Sequence, residues 1–344
     1  MRNQRVTAAQ VAEKAGVSQP TVSRVFTPGS NVSADKVVRV QQAAEELGYL
    51  PNTLARSLNT GRSRTIGLVL AYMKNPFYAD AVERFSEAFR RRGYHLVTFF
   101  AMNMAEEVDS VVEDLLAQQI DGIILASVSM SNELTQRLQD YGIPFVLFNR
   151  GQEDQSLPSI TAANFKGGRL AAEFLVAGEH TNIAHLAGWR ESLNGRERQA
   201  GFLKGLSEAG LTPLQVVDCH YRRTVAQHET RKLFAGRTKP DAIFVGNDHM
   251  AFAVLETLRD ELKLDVPGDV SVVGYDDVAM AAWSTFNLTT LRQPAGRMVD
   301  ATLDMLLGMV EDGSSPPGRI EIDSELIIRG SARIPSNWTA QVAD

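Results

Sequence analysis

The stretch Val11–Arg24, VAEKAGVSQPTVSR, decides how the N-terminal part of this chain folds. It reads as a short helix, a turn at Gly16 and a second helix. Ser18 stands at the N-cap of the second helix and Pro20 in its first turn, where a missing N–H costs nothing. Ala12, Val17, Val22 and Val25 supply a small apolar face, and Thr21, Ser23 and Arg24 point elsewhere. That is the layout of a helix-turn-helix whose second helix can enter a major groove.

Working outward, residues 1–50 read as three short helices. Thr7 caps the first; Ser33 caps the third, which runs to about Leu47 and stops at Gly48. Residues 51–61 form a link around TLARSL (Thr53–Leu58). A lone helix of this length is marginal in water, so the link is expected to order only on DNA. From residue 64 apolar strands alternate with amphipathic helices. Strands are expected at Thr65–Ala71, His95–Phe100, Gly122–Ala126, Phe145–Phe148, Ile183–Leu186, Ala242–Val245 and Val270–Val273, with a last one at Ile320–Ile328. Such alternation predicts an α/β core of parallel sheets with helices on both faces, in two units.

The net charge is −6, which argues against one large nucleic-acid surface. Residues 1–61 carry seven basic against four acidic side chains, a net +3, so the remainder carries −9. A basic head on an acidic body confines DNA contact to the head. The one cysteine, Cys219, forms no disulfide within the chain, as suits a reducing compartment. The N-terminus lacks a secretory h-region and no apolar run reaches the ~20 residues of a membrane span, so a cytoplasmic protein is expected. His228-Glu229 opens an HExxH-like string, but Lys232 breaks it. No metal site, cofactor motif or catalytic nucleophile–base pair is expected.

Six segments in order carry a resemblance: VAEKAGVSQPTVSRV (11–25), GYLPN (48–52), RTIGLVL (64–70), NGRERQAGF (194–202), VGYDD (273–277) and LTTLRQP (288–294). Together they resemble the lactose-repressor (LacI/GalR) family of transcription regulators, over nearly all 344 residues. The resemblance implies an all-α helix-turn-helix head and a two-lobed core like that of periplasmic sugar-binding proteins, its chain crossing between lobes three times. It implies a head at 1–50, a hinge at 51–61 and a ligand-binding and dimerisation domain at 62–344. Lobe 1 would comprise about 62–161 and 295–322, and lobe 2 about 162–292 and 323–344.

In the head, a recognition helix reads base edges with its first turns, through Gln19, Pro20 and Arg24 by the resemblance. Arg can bond guanine bidentately and Gln can bond adenine, whereas Pro20 has no donor and reads only by shape or apolar contact. Thr7, Ser18, Thr21, Ser23 and Ser33 offer hydroxyls to phosphates, or cap helices instead. By the resemblance, Leu58 is a minor-groove wedge, supported by Asn52, Ala55 and Arg56.

In the core, ligands of open α/β sheets bind beyond the strand C-termini. Asp276 directly follows the strand SVVGYDD, and Arg198 opens a helix after the loop Ser192–Arg196. Such a pair can clamp vicinal hydroxyls of a sugar, or can be a helix cap or surface ion pair. The resemblance favours effector binding at both. Phe77 and Tyr78 offer an apolar platform, or pack the core. Asn149, Arg150, Asn194, Tyr221, Asn247 and Gln293 are further ligand candidates; Asp248 is expected to cap a helix and Trp283 to pack.

These readings imply a sequence-specific repressor acting as a homodimer on a pseudo-palindromic operator, controlled by a sugar-like effector. The C-terminus, NWTAQVAD, carries no leucine heptad for a tetramer. Arg150 stands where purine-sensing relatives place a stacking aromatic, which favours a sugar over a purine corepressor. A solute-binding protein shares the two-lobed core, but the head domain argues against it.

Overall fold

The computed structural model describes residues 6–26, 31–50, 62–71, 73–101, 105–128, 131–336 and 338. The chain divides into two compact units, Met1–Arg64 and Thr65–Asp344.

Among its described residues the first unit holds three helices: α1 (Ala8–Ala15), α2 (Gln19–Val25) and α3 (Ala34–Leu47). A capping box starts α1: Thr7 Oγ1 accepts from the Gln10 amide while the Gln10 side chain accepts from the Thr7 amide. Gly16, at φ 65°, ends it in the left-handed conformation that glycine adopts without strain. Ser18 holds the N-cap backbone geometry of α2, yet its hydroxyl pairs with Thr21 Oγ1 at 2.9 Å and makes no cap bond to the backbone. Ser33 likewise stands at the α3 N-cap without a side-chain cap bond. Val11, Ala12, Ala15, Val22, Val40, Ala43 and Ala44 are the buried centre, with Val17 and Val25 packed beside it. The Arg39 guanidinium donates to the Ala15 carbonyl, fastening α3 to the C-terminal end of α1.

The second unit is built on two six-stranded sheets. The first begins with β1 (Thr65–Leu70), α4 (Pro76–Arg91), β2 (His95–Phe100), α5 (Ala105–Leu116), β3 (Gly122–Ala126), α6 (Asn132–Asp140), β4 (Phe145–Phe148) and β5 (Ser159–Ala162). The chain then passes to the second: α7 (Asn164–Ala177), β6 (Ile183–Ala187), α8 (Leu193–Glu208), β7 (Gln215–Asp218), α9 (Arg223–Ala235), β8 (Ala242–Val245), α10 (Asp248–Glu256), β9 (Ser271–Asp276) and β10 (Thr289–Arg292). It returns through α11 (Ala295–Leu307), which packs on α4, to β11 (Arg319–Ile322) beside β5, and crosses again to β12 (Glu325–Ile327) beside β10. The sheet orders are β11-β5-β4-β3-β1-β2 and β12-β10-β9-β8-β6-β7.

Three features depart from the sequence expectation. The stretch Ile320–Ile328 is two strands in different sheets, separated at Asp323-Ser324; the alternating pattern carries no mark of which sheet a strand joins. The last strand, β12, runs antiparallel to β10, so the second sheet is mixed. And β5, β7 and β10 were not expected: unlike the equally short β4 and β8, which are wholly apolar, each of these mixes polar residues into its four positions. In β10 buried Thr289 and Thr290 stand where an apolar pattern would show, their polarity absorbed by bonds to Ser331, Arg329 and Asp248.

Helices α7 and α8 lie unusually close. Gly168 on α7 and Gly201 on α8 face the backbone of the other helix: a Cβ at Gly168 would collide with the Arg198 carbonyl oxygen and stand 3.0 Å from the Phe202 nitrogen. This seam sets where the N-terminal half of α8 stands, and α8 carries Arg198.

Candidate functional site

Strand C-termini of both sheets converge on a cavity of about 670 Å³, a size suited to a small metabolite. Its wall is made by the residues that follow β1, β3 and β4 in the first sheet and β6, β7, β8, β9 and β10 in the second. Several of these strand-end residues are bent into positive φ without being glycine: Ser127 (58°), Asn149 (54°), His220 (51°), Tyr221 (55°) and Asp276 (131°). Such conformations cost of order 1–3 kcal/mol each and collect where a site needs side chains aimed inward.

Asp276 is the centre of the polar wall. Asn75 Nδ2 donates to its Oδ2 at 2.7 Å and Gln293 Nε2 to its Oδ1 at 2.6 Å. Arg198 Nη1 stands 3.8 Å from the same Oδ1, both side chains being almost wholly buried. Burial pushes the Asp276 carboxyl above the usual carboxylate range, and the Arg198 charge offsets part of that. Next to it, Asp277, also at positive φ (57°), is gripped by Arg292 Nε and Arg329 Nη2, each at 2.7 Å. This double ion pair holds the strained turn that aims Asp276 inward.

Arg198 is fixed from three sides. Its Nε donates to Asn164 Oδ1 at 2.8 Å, its Nη1 donates to the Gly246 carbonyl at 2.7 Å, and its guanidinium carbon lies 3.6 Å from the Tyr275 ring centroid. Asn194, one turn earlier on α8, donates to the Asn149 carbonyl and so joins the two lobes. Asn149 in turn donates to the Tyr78 hydroxyl at 3.1 Å. Burial pushes that phenol up to about 12, so Tyr78 stays protonated. Arg150 donates to the Ser127 carbonyl at 3.0 Å and lies 4.9 Å from the Trp189 ring centroid.

Three buried amide oxygens of residues that line the cavity, Asn149 Oδ1, Asn194 Oδ1 and Gln293 Oε1, lie just beneath its surface and have no hydrogen-bond partner among the described residues. The orientation of two is dictated by their neighbours, because the NH2 groups of Asn194 and Gln293 face a carbonyl and a carboxylate. Buried acceptors left this way are costly, and the group that satisfies them must be a donor.

Of the ligand candidates read from sequence, Asn149, Arg150, Asn194, Arg198, Tyr221, Asn247, Asp276 and Gln293 line this cavity. Phe77 does not. It is buried against Phe148 (ring centroids 6.2 Å, nearly parallel), and its neighbour Tyr78 presents the polar end to the cavity instead. Asp248 is no cap either: Asn247 caps α10 by accepting from the Met250 amide. Trp283 is 56% exposed rather than packed. Asn75, Trp189, Ser127 and Lys74 also line the cavity without having been foreseen; Asn75 and Lys74 lie in the same post-β1 loop that drew attention to Phe77.

Asp248 is instead wholly buried, accepting from Thr290 Oγ1 at 2.6 Å and from the Val278 amide at 3.0 Å. Burial first, and the nearby Asp276 charge second, hold its carboxyl far above the usual range. A carboxyl raised by folding stabilises the fold fully below its unfolded value of 3.8, and that stability is lost as pH rises through neutrality. Urea unfolding of the wild type should therefore weaken from pH 4 toward pH 8, and the slope should flatten in Asp248→Asn. Equal slopes in both proteins would assign the pH dependence elsewhere.

On the head, Thr7, Ser18, Gln19, Pro20, Ser23, Arg24 and Ser33 are exposed and Thr21 is half-buried. Val22, fully buried, turns toward α1 and α3, so the opposite side of α2 is the outer one. The hinge candidates Asn52, Ala55, Arg56 and Leu58 lie outside the described residues. Among the described residues no group of three or more His, Cys, Asp or Glu is placed to hold a metal, and no helix is long and apolar enough to cross a membrane.

Comparison with known proteins agrees with both units. The model for bacterial regulatory proteins of the lacI family matches residues 7–52, and the periplasmic binding protein-like domain matches 172–332. The HTH-type transcriptional repressor PurR of Edwardsiella ictaluri is 32% identical over 94% of this chain and 96% of its own. The ribose operon repressor of Escherichia coli K12 is 31% identical over 95% of this chain and 99% of its own. Among solved structures, the lac repressor dimer bound to operator and the anti-inducer ONPF has a TM-score of 0.87 at 29% identity, covering 95% of this chain and 99% of its own. A complex of the transcriptional regulator CelR with cellobiose has a TM-score of 0.72 at 30% identity, covering 95% and 100%.

Proposed function

The chain belongs to the LacI family of DNA-binding transcriptional repressors, and from that premise we propose that a sugar-like effector in the cavity at the strand C-termini sets its affinity for an operator. The observation that carries the effector class is the polar wall of the cavity, where the Asp276 carboxylate, the Arg198 guanidinium and the amides of Asn75, Asn149, Asn194 and Gln293 come together. A polyhydroxy ligand brings several donors at once, and each also has a lone pair for Arg198. A purine stacking on Trp189 would compete with the Arg150 guanidinium, which already covers that ring. Relatives with a sugar in their names, the ribose operon repressor and the regulator solved with cellobiose, support the same class.

The domain scheme proposed is a DNA-reading head at 1–50, a hinge at 51–61 and an effector and dimerisation domain at 62–344. The working unit is a homodimer on a pseudo-palindromic operator, since a two-fold protein matches a two-fold site. Gln19, Pro20 and Arg24 read base edges; Thr7, Ser18, Thr21, Ser23 and Ser33 reach phosphates; Leu58, with Asn52, Ala55 and Arg56, acts in the minor groove. Effector binding shifts the population of lobe arrangements and so the DNA-competent state of the hinge.

The head's role is tested with Arg24→Ala, an exposed position that unfolding does not confound. Selective binding to a pseudo-palindromic duplex, measured by fluorescence anisotropy, should weaken by about 10- to 100-fold, as for loss of one bidentate base contact. Affinity for random DNA should change much less. Equal affinity of the variant for the selected duplex would remove Arg24 from the reading set.

A further inference from the structure

The first two turns of α8 belong to the lobe of the second sheet, yet three of their side chains bind the lobe of the first. Asn194 donates to the Asn149 carbonyl. Arg196 pairs with Glu153 in the loop after β4. Glu197 accepts a two-pronged bond from Arg319 on β11, Nη1 to Oε1 and Nη2 to Oε2, each at 2.7 Å. The next residue is Arg198, on the cavity wall. The two ion pairs differ in weight. Arg196 and Glu153 are both exposed, and such a pair contributes little. The Arg319 side chain is only 6% exposed and that of Glu197 21%, so water screens this pair far less. Arg319 is also oriented from within its own lobe: Nε donates to Thr161 Oγ1 at 3.2 Å, and Nη2 lies 2.7 Å from Glu321 Oε1. The guanidinium is thus held ready for a carboxylate from the other lobe, in the fork geometry that fixes direction as well as distance. Neither Glu197 nor Arg319 lines the cavity.

Resting on the reading of the cavity as an effector site, we propose that Glu197 and Arg319 are positioning residues: their ion pair clamps the lobes in the arrangement that brings the two cavity walls together, and so sets effector affinity without touching the effector. The walls come from different sheets, Asn75, Ser127 and Asn149 from the first and Arg198, Asn247 and Asp276 from the second. A ligand held by both walls selects the closed arrangement, and its apparent affinity scales with the fraction of molecules already closed. The clamp raises that fraction. The close seam at Gly168 and Gly201 fixes α8 to its own lobe, so the hold of Arg319 on Glu197 acts on the whole lobe. Because Glu197 stands one residue before Arg198 on the same helix, closing the lobes and placing the Arg198 guanidinium are one movement.

The test compares the full chain as wild type, Glu197→Gln, Arg319→Lys and the double variant. Glu197→Gln leaves Arg319 with Glu321 and Thr161 as partners, so folding is preserved; Arg319→Lys keeps a cation beside Glu321 and gives up the fork. Spin labels at Asp140→Cys and Lys239→Cys, exposed positions ahead of β4 and β8, report the distance between the lobes. The buried Cys219 stays unlabelled, and labelled chains are diluted into unlabelled ones. Wild type should give one narrow distance and Glu197→Gln a second population. Calorimetry with glucose, galactose and ribose, their acids and phosphates, and guanine and hypoxanthine reads affinity. Each single variant should weaken every compound that binds wild type by a common factor of about 3- to 30-fold, between the values for an exposed and a wholly buried pair. Residues that touched the ligand would instead change the order of preference. The double variant should be no weaker than Glu197→Gln alone, because the two side chains act as one pair. Unchanged distances and affinities in both single variants would overturn the clamp, even with a lowered melting temperature, and so would single effects that simply add. If no compound binds wild type, the effector reading fails, and the distances alone decide the clamp.

Discussion

Gly168→Ala is expected to destabilise the core domain by about 3 kcal/mol or more, at the upper end of what overpacking costs. The added methyl would press on the Arg198 carbonyl oxygen and on the backbone at Phe202, which cannot rotate away as a side chain end does. Helices α7 and α8 must separate to admit it, and Arg198 would move with α8. The comparison protein is Gly296→Ala, in α11. There the nearest atom to a new Cβ is Arg84 Nη1 at 3.6 Å, an ordinary contact. With room available, alanine should stabilise that helix by up to about 1 kcal/mol through propensity alone. Urea denaturation midpoints moving in opposite directions for the two variants would bear out the seam; a fall of the same size in both would reduce the effect to generic helix perturbation.

Arg198→Ala should abolish the effector response while leaving the DNA-reading head intact. The substitution removes the guanidinium that lines the proposed effector cavity and leaves Asp276 buried beside no guanidinium. Truncating one member of a buried charge pair costs about 3–5 kcal/mol of core stability, and loss of a charge-assisted hydrogen bond of about 1.5–3 kcal/mol should lower effector affinity by about 10- to 100-fold. Arg198→Lys should rescue little, because an ammonium cannot reach Asn164 and the Gly246 carbonyl together as the fork does. DNA affinity in the absence of effector should stay within about 3-fold of wild type, the ordinary scatter for a distant substitution. A calorimetric Kd unchanged in Arg198→Ala would take Arg198 out of the site.

The head was legible because its signals are local. Thr7, Gly16, Pro20 and Gly48 mark ends of helices by their own backbone chemistry, and Val11, Val22 and Val40 recur at spacings that one small core explains. Asp276 and Arg198 were legible for a different reason: each lies inside a recognisable motif near a strand end, where open sheets bind, although Asp276 ends β9 instead of following it and Arg198 sits in the second turn of α8, which begins at Leu193 within the stretch expected as a loop. What escaped was tertiary. Asn75 meets Asp276 across 201 positions of sequence, and nothing in the string AYMKNPFYAD shows that contact. Phe77 and Tyr78 differ by one helical step, about 100°, which is enough to turn one into the core and the other to the cavity. Trp189 carries no signal of its own in the sequence; its ring is covered by the Arg150 guanidinium, which comes from the other sheet. Asp248 has the sequence position of a cap; the buried threonine at position 290 and the neighbouring Asn247 make it something else.

The family assignment joins a DNA-reading head to an effector cavity, and the account stands on the coupling between them. Coupling requires the effector to bind two lobe arrangements with different affinity, since a ligand that binds both equally shifts nothing. Two of the contacts that span the lobes, Asn75 to Asp276 and Asn194 to Asn149, are made by residues that line the cavity.

The most direct measurement is anisotropy of the full-length chain on its selected pseudo-palindromic duplex, titrated with whichever of a set of neutral sugars, sugar acids and sugar phosphates binds most tightly by calorimetry, for wild type and Arg198→Ala in parallel. The account predicts that the compound changes wild-type operator affinity by 5-fold or more, within the usual ~5–150-fold range of allosteric coupling, and leaves Arg198→Ala unmoved. Operator affinity that stays constant in wild type while the cavity is saturated would contradict it.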